Sequence, residues 1–132
     1  MKKILGLGNA LTDILLQISE GDLREIGFPK GSMNLINAEQ FEQLQTKFAS
    51  VRKKLVAGGS ASNTVATIAQ LGGKAAFIGK IGNDELGSLF KTGQENIGIK
   101  PTLLTGKASS GRATVFITAP NAERTFATYL GA

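Results

Sequence analysis

Asn9 and Asp13 stand four residues apart in the stretch GLGNALTD, directly after a short apolar run. At the carboxyl end of a parallel strand such residues face the ligand crevice of an open α/β sheet. A carboxylate only accepts hydrogen bonds, which suits the paired hydroxyls of a sugar. A turn asparagine followed by a capping aspartate fits the same spacing. The second candidate is Val56–Asn63, reading VAGGSASN. Gly58 and Gly59 lack side chains, so a ligand can lie against the backbone. The helix that opens after them offers free N–H groups and a positive dipole end. Asn63, one turn in, both donates to and accepts from hydroxyls. A tight turn with a polar first-turn residue is the plainer reading of this stretch. The third candidate is Arg124, in the turn Glu123-Arg124-Thr125, whose guanidinium fork suits phosphate or simply meets solvent.

Several chemistries are excluded or disfavoured. The chain has no cysteine and no histidine, which removes disulfides, thiol nucleophiles, imidazole bases and the common zinc sites. Asn83-Asp84-Glu85 reads as a helix start, because its acids are consecutive and no third ligand is evident, so no metal site is expected. A dinucleotide fingerprint beginning Gly6-x-Gly8 wants glycine or alanine at position 11, where Leu11 stands. The net charge of +5 is spread out, with Lys2-Lys3 and Arg52-Lys53-Lys54 as small clusters. That is not the dense stripe of a nucleic-acid surface. Apolar runs fall short of a membrane span, and Gly6, Gly8, Asn9 and Asp13 interrupt the start of any signal peptide, so a cytoplasmic protein is expected.

The 132 residues are the size of one domain. Lys3 to Leu7 reads as a buried strand, and Asp13 to Ile18 and Ser32 to Ile36 as extended segments. Asn37 caps a helix, Gln40 completes a capping box, and Phe41, Leu44 and Phe48 share one face. A strand at Lys54 to Val56 leads into Gly58-Gly59. The following helix, Ser60 to Leu71, carries Ala61, Val65 and Ile68 on one stripe and stops at Gly72-Gly73. Ala75 to Ile78 has the continuous apolar character of a parallel strand buried on both sides. A helix from Asp84 to Asn96 turns Leu86, Leu89 and Phe90 inward. Strand–helix alternation predicts an α/β layered sheet. Arg112 to Ala119 then alternates strictly, Pro120 to Glu123 forms a turn, and Arg124 to Leu130 is another strand. Alternation implies one face that is wet or meets something other than the core. A separate β flap is therefore predicted near 112–130, joined by strands near 13–18 and 32–36.

Taken together these residues resemble the ribokinase/PfkB family of carbohydrate kinases, over essentially the whole chain. Gly58-Gly59, Asn63, Gly72 and Gly82 have the separations of that family's amino-terminal signature, with Val65 departing where a small residue is usual. GNALTD resembles the first-strand motif of its adenosine-kinase-like branch, and the long insertion between Asp13 and Val56 fits that branch. The resemblance implies a ribokinase-like, partial doubly wound α/β sheet with a small β lid over residues 1–132. It implies that Asn9, Asp13, Gly58, Gly59 and Asn63 bind a sugar or nucleoside, that Arg124 contacts the transferred phosphate, and that the lid makes a homodimer. The intact enzyme would use ATP and Mg2+ to phosphorylate a primary hydroxyl. The family's second signature, Gly-Ala-Gly-Asp, holds its catalytic base and does not occur here. This chain alone is therefore expected to be inactive and to bind no ATP or Mg2+ by itself. The alternative is a non-catalytic sugar- or nucleoside-binding or dimerisation module. No nucleic-acid or membrane partner is expected.

Overall fold

The computed structural model describes residues 3–132; Lys2, half of the Lys2-Lys3 pair, lies outside them. In chain order the elements are β1 (Lys3–Leu7), β2 (Leu11–Ile18), α1 (Glu20–Ile26), β3 (Met33–Leu35), α2 (Ala38–Lys47) and β4 (Lys54–Gly58). They continue with α3 (Ser60–Gln70), β5 (Lys74–Ile81), α4 (Glu85–Asn96), β6 (Thr102–Thr105), β7 (Gly111–Thr118) and β8 (Glu123–Tyr129). The chain forms two compact units. One takes residues up to 12, 56–112 and 130–132; the other takes 13–55 and 113–129.

The first unit holds a parallel three-stranded sheet in the order β1-β5-β6. Parallel strands need crossover connections, and α3 and α4 supply helices for them. Gly6 of β1 is in register with Phe77 of β5, whose ring is fully buried. Phe77 packs on Phe90 of α4 at 5.6 Å between centroids, and Val65 and Ile99 complete that core. β1, expected to be a buried strand, is instead mostly exposed, and β5 is fully buried only at Phe77 and Gly79, with its other apolar residues half-buried. Leu5 and Leu7, registered with Ala76 and Ile78, are 61% and 74% exposed. Both helices pack into the Phe77 core, which leaves the side of β1 with Leu5 and Leu7 uncovered.

The second unit is built on a five-stranded sheet in the order β3-β8-β7-β2-β4. The predicted flap strands are all in it, and β4 joins them. Two capping boxes define its helices: Ser19 with Asp22 on α1, and Asn37 with Gln40 on α2. Phe41, Leu44 and Phe48 are buried on the expected helix face. They pack with Ile14, Leu16, Leu23, Phe116 and Ala127. Phe48 and Phe116 lie 5.4 Å apart. On β7 it is therefore the face with Phe116, Thr114 and Thr118 that meets the helices. The apolar alternates, Ala113 and Val115, are buried as well, and Ile117 partly so. One phenylalanine ring beneath two helices decides the packed side, against a simple tally of apolar residues. Among the described residues no helix is long and apolar enough to cross a membrane.

Candidate functional site

In the first unit the end of β1, the end of β4 and the start of α3 meet. The Gly59 backbone has φ +94°, which L side chains rarely adopt, and a Cβ there would lie 2.7 Å from the Asn9 carbonyl oxygen. The 9–11 turn thus packs directly on Gly59, bringing Asn9, Gly58 and Gly59 together. The Gly59 carbonyl accepts from the Asn63 N–H at 2.8 Å, starting α3. No side chain caps that helix. The first N–H groups of α3 therefore lack intrahelical partners and favour an electron-rich oxygen. Asn63 is exposed one turn in, and Asn9 is exposed as well. Asn9 also lines a cavity of about 240 Å³ with Leu7, Gly8, Gly79, Lys80 and Leu104. This cavity lies at the carboxyl ends of β1 and β5, the position that open parallel sheets reserve for ligands.

In the second unit the Arg124 charge acts on the Asp13 carboxyl. Asp13 lies on β2, with its side chain on the face opposite the core residues Ile14 and Leu16. Arg124 lies on β8, on the face opposite Thr125 and Ala127, and its guanidinium sits 5.9 Å from the Phe126 ring centre. Burial pushes the Asp13 carboxyl above its ordinary value, and the Arg124 charge partly counters that rise. A half-buried carboxylate whose charge a nearby arginine partly offsets has the chemistry to accept hydrogen bonds from a polar ligand.

Sequence reasoning placed Asn83-Asp84-Glu85 at a helix start, and Asp84 is indeed the N-cap of α4, accepting from the Gly87 N–H at 2.9 Å. Its wider role is tertiary. The Ser110 N–H and hydroxyl donate to the two Asp84 oxygens at 2.7 and 2.5 Å, and the Gly82 N–H donates to Ser110 Oγ at 2.9 Å. Burial alone would raise the Asp84 carboxyl. The Ser110 and Gly87 hydrogen bonds and the Arg112 charge together outweigh it and hold the group below the usual range. A depressed folded-state value adds stability above the unfolded value of 3.8 and loses it as pH falls through the folded value. Ser110→Ala is therefore expected to move acid unfolding to higher pH, read by far-ultraviolet circular dichroism. An unchanged acid midpoint would show that the network does not hold the charge.

Another polar pair was missed: Gln94 of α4 and Ser62 of α3, both fully buried. The available signal was position. Gly87, Phe90, Gln94 and Ile97 fall on one helical stripe, so a glutamine there points inward.

Residues 31–132 match the model of the pfkB family carbohydrate kinases. Fructokinase-1 of Oryza sativa subsp. japonica is 34% identical over 73 residues, covering 54% of this chain and 23% of that protein. Among solved structures, adenosine kinase from Sinorhizobium meliloti matches with a TM-score of 0.86 and 37% identity, over 98% of this chain and 39% of that one. A probable sugar kinase protein from Rhizobium etli CFN 42 matches with a TM-score of 0.88 and 35% identity, again over 98% and 39%. The chain thus spans well under half the length of each of these relatives. The mixed α/β architecture is that of these ribokinase-like neighbours.

Proposed function

Since this chain belongs to the pfkB family of carbohydrate kinases, we propose that it forms the acceptor-binding part of an ATP-dependent kinase acting on a primary hydroxyl of a sugar or nucleoside. The observation that carries this reading is the packing of Gly59 against the Asn9 carbonyl. It sets two exposed amides beside an uncapped helix start, all suited to hydroxyl groups. In this reading Asn9, Gly58, Gly59 and Asn63 hold the acceptor's hydroxyls. Asp13 accepts from a further pair, and Arg124 contacts the transferred phosphate. The 34–37% identities to a fructokinase, an adenosine kinase and a probable sugar kinase support a furanose-bearing acceptor.

ATP and Mg2+ are the donor and cation the family implies. Among the described residues no group of three histidine, cysteine or acidic side chains is placed to hold a metal. No residue of this chain is assigned to either, and the chain by itself is inactive in this proposal. The sequence Gly-Ala-Gly-Asp, which holds the catalytic base of the family, is absent from it.

The second unit's sheet serves as the lid strands and as a homodimer contact. Met33 and Leu35, in register with Phe126 and Thr128, are 64% and 65% exposed and give that sheet face an apolar patch. One set of experiments tests the reading. Calorimetric titration with adenosine, ribose and fructose is expected to show saturable binding of one of them, and sedimentation a dimer that Leu35→Lys dissociates. No binding of any acceptor would overturn the acceptor assignment, and a monomer the lid contact.

A further inference from the structure

The Ser62–Gln94 pair is a buried polar feature that packing does not explain. Gln94 is 1% exposed and Ser62 is fully buried, and Gln94 Nε2 donates to Ser62 Oγ at 2.8 Å. Gln94 Oε1 has no hydrogen-bond partner among the described residues. A buried amide with half its capacity unused is a costly occupant of an apolar helix stripe, where leucine would serve better for stability alone.

What the amide does is grip α3 in its first turn, at the residue before Asn63. Gly93 allows that grip. A Cβ at position 93 would lie 3.1 Å from the Ala57 Cβ, so α4 comes close to β4 just before Gly58. The last turn of α4 therefore touches the chain on both sides of the Gly58-Gly59 turn, at Ala57 and at Ser62. No side chain at Gly59 caps α3. A tether from α4 supplies the orientation that a cap would give elsewhere.

We propose that Gln94 is a positioning residue for the acceptor site: through Ser62 it fixes the rotation of the first turn of α3, and hence where Asn63 and the free N–H groups are presented. This rests on the acceptor reading given above. The test uses Gln94→Leu, Ser62→Ala and the double variant in the intact kinase, with adenosine and fructose as acceptors. Each single change is expected to raise the acceptor KM roughly 10–100-fold, the cost of misplacing a positioning group. The KM for ATP stays as in the wild type, Gln94→Leu keeps or raises the Tm, Ser62→Ala lowers it because the buried Gln94 amide loses its partner, and in both the Asn63 amide exchanges hydrogen faster. The double variant is no worse than either single one, because both changes remove one contact. A lower Tm with the acceptor KM unchanged, or losses that add, overturns the proposal. Unchanged exchange at Asn63 in both single variants overturns the tether itself. Wild-type protein without acceptor-dependent turnover overturns the acceptor reading, and the role of Asn63 with it.

Discussion

Asp13→Asn is expected to remove acceptor-dependent phosphorylation from the intact kinase while making the folded protein more stable at neutral pH. The loss follows from charge. A carboxylate accepting from two hydroxyls makes hydrogen bonds of about 1.5–3 kcal/mol each, and an amide of the same shape loses most of that, so kcat/KM falls by roughly 10²–10⁴-fold. The gain follows from burial. The Asp13 carboxyl is pushed above its ordinary value of 3.8 because burial outweighs the Arg124 charge. For a raised carboxylate the sign is the reverse of the usual acidic group. The folded state is penalised once the pH exceeds the unfolded value, and the full penalty is reached above the folded value. The Tm advantage of Asp13→Asn is therefore largest at neutral pH and shrinks as pH falls toward 3.8. A variant less stable than the wild type at pH 7 would refute the burial account. Retained turnover would refute the acceptor role.

Gly59→Ala is expected to be strongly destabilising for the first unit, for two separable reasons. The positive φ of +94° costs an L residue about 1–3 kcal/mol. A Cβ only 2.7 Å from the Asn9 carbonyl adds a clash with backbone, which cannot rotate away, for about 1–3 kcal/mol more. The two causes can be separated. Gly98 also has a positive φ, +83°, but nothing lies within 4 Å of its would-be Cβ. Gly98→Ala thus carries the strain without the clash. Thermal unfolding is expected to place Gly59→Ala roughly 10 °C below the wild type and Gly98→Ala about half as far below. Equal shifts would show that the Asn9 contact contributes nothing. In the intact kinase Gly59→Ala also displaces Asn9, so acceptor binding falls even at temperatures where the variant is folded.

Much of this protein is written in short-range signals. The capping boxes of α1 and α2 each join residues three positions apart, so local sequence settles where those helices begin. The Gly58-Gly59 turn and the start of α3 with Asn63 follow each other directly in the chain, which is why that local geometry was legible. So were the strands of the flap, whose alternation has a period of two wherever they pair. Residue type and spacing thus determined the strands, the helix starts and the candidate ligand groups.

Other features depended on residues far apart in the chain. Alternation along β7 defines two faces but not which one the helices cover; Phe48 and Phe116, 68 positions apart, decide that. The short β6 found its place by pairing with β5. The Ser110–Asp84 latch joins residues 26 apart and the Ser62–Gln94 tether residues 32 apart, and the Arg124 charge that acts on Asp13 comes from a strand more than 100 residues along the chain. Local propensity ends at about one helical turn or one strand pair, whereas burial, charge and hydrogen-bond satisfaction are settled only when distant segments pack. The sequence by itself determined which groups could meet an acceptor. Only the tertiary structure decided how Gly59 seats Asn9, what burial does to Asp13, and what holds α3 in place.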